Sequence, residues 1–126
     1  MASTTKEQLR ENCESIVRDL DKFLDPALYY SEYENEFRIK DDSYDSDDDI
    51  GMYGYIQNGA YDIRLTVDMD GTMYGARLMV AGGGPNIYIN TLTGEVEGYW
   101  GVDECHIPIG YEICKLIDDT IETMRY

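Results

Sequence analysis

The sequence predicts an α+β domain: an antiparallel meander of four or five strands, with an N-terminal and a C-terminal helix packed on one face. Three observations carry that expectation. Apolar residues recur at helical spacing in residues 5–24 and again in 110–124. Between them, residues 52–101 alternate apolar and polar positions, broken at short intervals by turn dipeptides. The chain has 126 residues, 43% of them hydrophobic, which suits one domain, 1–126, with a real core.

In the first helix Leu9, Cys13, Ile16, Val17, Leu20 and Leu24 form one stripe. Thr4 followed by Glu7 is a capping box, the hydroxyl taking the backbone N–H three residues on. Pro26 stops the helix, because it pushes Asp25 out of the helical region. Residues 27–40 are transitional. Tyr29, Tyr30 and Tyr33 stand among Glu32, Glu34 and Glu36, and Phe37 and Ile39 alternate with charged neighbours as a short strand does.

Residues 41–49 read Asp-Asp-Ser-Tyr-Asp-Ser-Asp-Asp-Asp. Like charges this dense disfavour helix and strand alike, so an exposed acidic loop is expected. Beyond it Met52, Gly54 and Ile56 alternate with Tyr53 and Tyr55, which reads as a strand ending at the turn signal Asn58-Gly59. Tyr61 to Val67 reads as the next strand, Asp70-Gly71 as its turn, and Tyr74 to Val80 as the return. After Gly82-Gly83-Gly84-Pro85, Ile87 and Ile89 mark a strand, Thr93-Gly94 turns it, and Val96, Gly98 and Trp100 come back. In the last helix Ile113, Leu116, Ile117, Ile121 and Met124 recur at helical spacing, with Pro108 placed near its first turn.

Charge is the unusual property: 26 acidic residues against 10 basic ones give a net charge of −16. Such a potential speeds encounter with basic partners and repels nucleic acid and anionic membranes. Acidity also serves solubility alone. No start combines a basic segment with an apolar run, no stretch suits a membrane span, and the cysteine count is odd, Cys13, Cys105 and Cys114. The expectation is therefore a cytoplasmic protein with free thiols.

No catalytic or metal-binding pattern stands out, and neither an enzyme nor a cofactor is expected. Counting a calcium loop from Asp45 puts Ile50 sixth and Ile56 twelfth, where Gly and Glu are needed. Asp68-Met69-Asp70-Gly71 has the setting of a hairpin turn. Cys105, His106 and Cys114 lack the paired spacing of a zinc site. Adjacent strand residues point to opposite faces, so Cys105 and His106 do not serve each other as nucleophile and base. The Gly82–Pro85 run feeds a strand and has no nearby Lys, unlike a phosphate loop.

The twelve Tyr residues are the second unusual feature. Tyr is a good strand residue, but Tyr mixed with Asp and Glu is also what a surface for Arg- and Lys-rich partners looks like. The partner-binding residues expected on these grounds are Asp41, Asp42, Asp45, Asp47, Asp48, Asp49, Tyr44, Tyr53, Tyr55, Glu32, Glu34 and Glu36. In an extended segment Asp45, Asp47 and Asp49 would stand about 6.6 Å apart on one face, the order of successive backbone phosphates.

The stretch Gly82-Gly-Gly-Pro-Asn-Ile-Tyr-Ile-Asn-Thr91, followed by Val96-Glu-Gly-Tyr-Trp-Gly101, resembles small proteins carried on bacterial mobile elements. In size, acidity and α+β pattern the chain also resembles anti-CRISPR and anti-restriction DNA mimics and the immunity proteins of bacterial toxins. Those resemblances imply an inhibitor, in the cytoplasm of a bacterial host, that offers carboxylates where phosphates would sit on a nuclease or defence complex. An antitoxin-like protein with one dedicated toxin is the alternative, and a small enzyme or ligand-binding domain a third reading.

Overall fold

The first helix, α1, spans Thr5–Lys22 in a computed structural model that describes residues 4–125. Thr4 caps it, its hydroxyl accepting the Glu7 N–H at 3.1 Å. The helix turns Leu9, Cys13 and Leu20 inward. It ends before Leu24, which is 46% exposed, and Phe23 packs against the core instead.

An antiparallel hairpin follows, β1 Leu28–Ser31 and β2 Glu36–Ile39. The second strand matches the alternation at Phe37 and Ile39. The first was not expected, because its buried Tyr29, Tyr30 and Ser31 are consecutive and show no alternation.

Residues 51–59 correct the sequence reading. They form a helix, α2 Gly51–Gly59, where a strand was expected. Met52 and Ile56 are two steps of a period-2 pattern, but they are also i and i+4, and with Tyr55 they complete a helical stripe. Asn58-Gly59 closes this helix instead of turning a hairpin. An Asp49 carboxylate oxygen accepts the Gly51 N–H at 3.2 Å, an anionic group at the helix N-terminus.

The main sheet has five antiparallel strands in consecutive order: β3 Asp62–Val67, β4 Met73–Ala81, β5 Asn86–Asn90, β6 Glu95–Trp100 and β7 Asp103–Pro108. It is the expected meander, shifted to 62–108. Gly71 (φ 90°) and Gly94 (φ 70°) make two of its turns in the left-handed region. Strand β7 lies beyond the expected limit of the sheet at residue 101, and it carries Cys105 and His106 as the strand neighbours they were expected to be. Pro108 closes this edge strand, where its missing N–H costs no ladder bond, and the last helix, α3 Tyr111–Met124, starts only after Gly110.

The register assigns the faces. Ala76, Leu78, Ile87, Ile89, Val96 and Cys105 turn inward and join the buried residues of α1, α2 and α3 in one core. Gly98 lets α1 approach: a Cβ there would come within 2.5 Å of the Cys13 sulfur and 2.8 Å of Leu9 Cδ1. The opposite face carries Arg77, Tyr88, Asn90, Glu95, Glu97, Tyr99 and His106. No helix among the described residues is long and apolar enough to cross a membrane.

Candidate functional site

Charge concentrates beside the β1–β2 hairpin. Residues 32–49 hold nine of the 26 acidic residues and two of the ten basic ones. The acidic segment in that stretch is folded against the hairpin. Glu32 N–H donates to the Asp48 carbonyl at 2.9 Å and Ile50 N–H to the Tyr30 carbonyl at 3.1 Å, so the end of the segment runs as an extra partner of β1.

Asp side chains shape the rest by bonding their own backbone, as Asx turns do. An Asp41 carboxylate oxygen accepts the Ser43 N–H at 2.9 Å and its hydroxyl at 2.6 Å. Asp45 accepts the Asp47 N–H at 2.9 Å. The Tyr44 ring packs edge-on against Tyr29, centroids 4.8 Å apart, and its hydroxyl donates to Asp49 at 3.0 Å.

Asp48 is the anchor. It is 9% exposed and accepts the Ser31 hydroxyl at 2.9 Å, the Tyr33 N–H at 3.1 Å and the Tyr29 hydroxyl at 3.4 Å. Burial alone would push its carboxyl up, but the donated bonds from Tyr33, Ser31, Glu32 and Tyr29 outweigh burial and hold it below the usual carboxylate range.

These bonds correct three expectations. Asp48 faces inward, so it has no free carboxylate to offer a partner. Asp49 is half-buried and spends its oxygens on Tyr44 and on the start of α2. The extended phosphate-like ruler of Asp45, Asp47 and Asp49 is absent, because the segment is a series of turns.

Tyr55 also faces inward. It packs edge-on against Phe23 at 5.3 Å and Tyr30 at 5.5 Å, and burial pushes its hydroxyl well above the usual range. Tyr44 is half-buried, whereas Tyr53 is 48% exposed.

Asp41, Asp42, Asp45, Asp47, Glu32, Glu34 and Glu36 all lie on the surface. Asp45, Asp47 and Glu32 border an open cleft of about 880 Å³ together with Tyr29, Tyr33, Arg38, Ser43 and Asp48. At the hairpin tip the Glu34 carboxylate pushes the Glu36 carboxyl up, by hydrogen bonding first and by repulsion second. No family model, curated protein or solved structure matches the chain.

A second polar cluster, on the open face of the main sheet, escaped the sequence reading. Glu97 is 7% exposed, accepts the Arg77 Nε–H at 2.9 Å, and is also reached by Asn90 at 3.4 Å and the Tyr99 hydroxyl at 3.3 Å. The Arg77 guanidinium lies 3.7 Å from the Tyr88 ring centroid. His106 stands between Glu95 and Glu104. The alternation of 95–99 and 104–106 was the available signal; strand pairing turned it into a cluster.

The three thiols are buried. Cys105 and His106 take opposite faces of β7, as expected of strand neighbours. Burial pushes the Cys114 thiol up despite its place in the first turn of α3, which favours packing over nucleophilic chemistry.

Proposed function

We propose that this chain is an acidic inhibitor that occupies the basic, nucleic-acid-binding surface of another protein, a nuclease or a defence complex, with the ledge built by residues 32–47. The observation that carries the reading is the division of labour within the Asp run. Asp48 is spent on Ser31, Tyr33 and Tyr29, and that internal bonding holds Asp41, Asp42, Asp45 and Asp47 at the surface on a folded support.

A folded acidic ledge loses less freedom on binding than a loose tail does. Its potential steers a basic partner into encounter. Free carboxylates pair with guanidinium groups, and Tyr33, 89% exposed, offers a ring face beside them. Nucleic acid itself is repelled by the same charge.

The test is capture from a bacterial lysate at low salt, followed by a salt series on the captured protein. The chain is expected to hold a basic partner that elutes steeply with salt and that duplex DNA or RNA displaces. The variant D41N/D42N/D45N/D47N, which leaves Asp48 in place, is expected to lose that partner. Unchanged affinity and an unchanged salt slope in the variant would overturn the reading.

A further inference from the structure

We propose that Glu95, Glu97 and His106, on the open face of the main sheet, form a binding site for a divalent transition-metal ion of the zinc or cobalt type. The inference rests on other residues than the acidic ledge, so neither reading depends on the other.

Strand pairing makes the cluster. Glu97 sits directly opposite His106 in the β6–β7 register, and Glu95 is two residues before Glu97 on the same face. One ligand atom from each of the three lies within 4.8 Å of the other two. Ligands of one tetrahedral zinc ion stand roughly 3.3 Å apart, and side-chain torsions absorb the difference. The His106 Nδ1 is already 2.9 Å from a Glu95 oxygen.

The surroundings are those that metal ligands need. The other ring nitrogen, Nε2, faces Glu104 at 3.3 Å. A carboxylate on the far nitrogen fixes the ring of a metal-bound histidine and raises its donor strength. Glu97 is held in place by Arg77, Asn90 and Tyr99. Each carboxylate oxygen has two lone pairs, so Arg77 and a cation can share this group. Arg77 also offsets part of the repulsion among Glu95, Glu97 and Glu104. Glu95 and His106 are partly exposed, which gives an ion a way in and leaves positions for water. One imidazole with two carboxylates suits zinc, cobalt or manganese better than calcium, which takes oxygen ligands throughout.

The chain has a single histidine, so its ring resonances report on the site without assignment ambiguity. Untagged, metal-free protein is titrated with Zn²⁺ at neutral pH and followed by ¹⁵N-detected imidazole spectra. A parallel titration with Co²⁺ is followed by visible absorption. The expected result is saturation at one equivalent, with Nδ1 moving to the metal-bound range while Nε2 keeps its proton, and a cobalt spectrum free of thiolate bands. E95Q and H106Q, checked for native fold by circular dichroism, are expected to weaken Co²⁺ binding at least about tenfold, and D45N/D47N to leave it unchanged. Absence of saturation, ligation through Nε2, thiolate bands, or wild-type affinity in folded E95Q would each overturn the proposal.

Discussion

The Ser31 hydroxyl lies 2.9 Å from both carboxylate oxygens of Asp48, a buried pair that ties the acidic segment to the first strand of the hairpin. Removing the hydroxyl leaves the buried Asp48 carboxylate short of a donor. Ser31→Ala is expected to destabilise the fold by about 1–3 kcal/mol. It is also expected to open the 41–50 segment to proteolysis. Chemical denaturation and limited proteolysis of the variant check both effects; wild-type resistance to proteolysis would show that the turns alone hold the segment.

The same anchor sets a pH dependence. The folded-state pKa of Asp48 lies below its unfolded value of 3.8, so its contribution is present above that value and is lost as pH falls through the lower folded one. D48N is therefore expected to be less stable than wild type at neutral pH. The gap is expected to narrow as pH falls through the acid range below 3.8. Denaturation curves of both proteins across that range measure it, and a gap that stays constant would contradict the assignment.

Gly98, on β6, faces α1 with no room for a side chain. A Cβ built there meets the Cys13 sulfur at 2.5 Å and Leu9 Cδ1 at 2.8 Å, both in fully buried side chains. Gly98→Ala is expected to cost about 1–3 kcal/mol through overpacking. The double variant Gly98→Ala with Cys13→Ala is expected to recover part of that loss, which a double-mutant cycle reads directly.

Burial, with Cys105 as the next cause, pushes the Cys13 thiol from 9.0 up to about 11. A raised folded pKa means a contribution fully present below pH 9.0 and lost as pH rises toward 11. Stability is expected to fall over that alkaline range, and less so in Cys13→Ala. All three cysteines are expected to alkylate slowly at neutral pH in the folded protein and quickly in denaturant. Fast labelling of native Cys114 would instead mark an activated thiol.

Neutralising the exposed carboxylates relieves repulsion within the ledge. D41N/D42N/D45N/D47N is expected to melt at or slightly above the wild-type temperature, with the difference largest at low salt and shrinking as salt screens the charge. D41N and D45N keep an acceptor oxygen for Ser43 and for the Asp47 N–H but lose the charge that strengthens those bonds, which sets a small opposing cost. Thermal melts across a salt series check the sign.

The two terminal helices, the antiparallel meander and the acidity of residues 32–49 were legible in the sequence. Each depends on interactions between near neighbours: apolar residues three and four apart, alternation across a strand, a Thr–Glu cap and a dipeptide turn. Residues 51–59 were ambiguous at that range, since Met52, Tyr55 and Ile56 satisfy a helical stripe while Met52, Gly54 and Ile56 alternate. Packing of that segment against β1 and α3, with Asp49 at its N-terminus, decided for helix.

Which Asp of the run faces inward was likewise a tertiary matter, because six similar side chains differ only in what lies across from them. Asp48 meets the Ser31 hydroxyl and the backbone of Tyr33; Asp45 and Asp47 meet solvent. The cluster of Glu95, Glu97 and His106 follows the same logic. Composition and local pattern determined the charge, the helices and the strands. Only strand register, which brings residues eleven positions apart to 2.9 Å, decided which polar groups share a site.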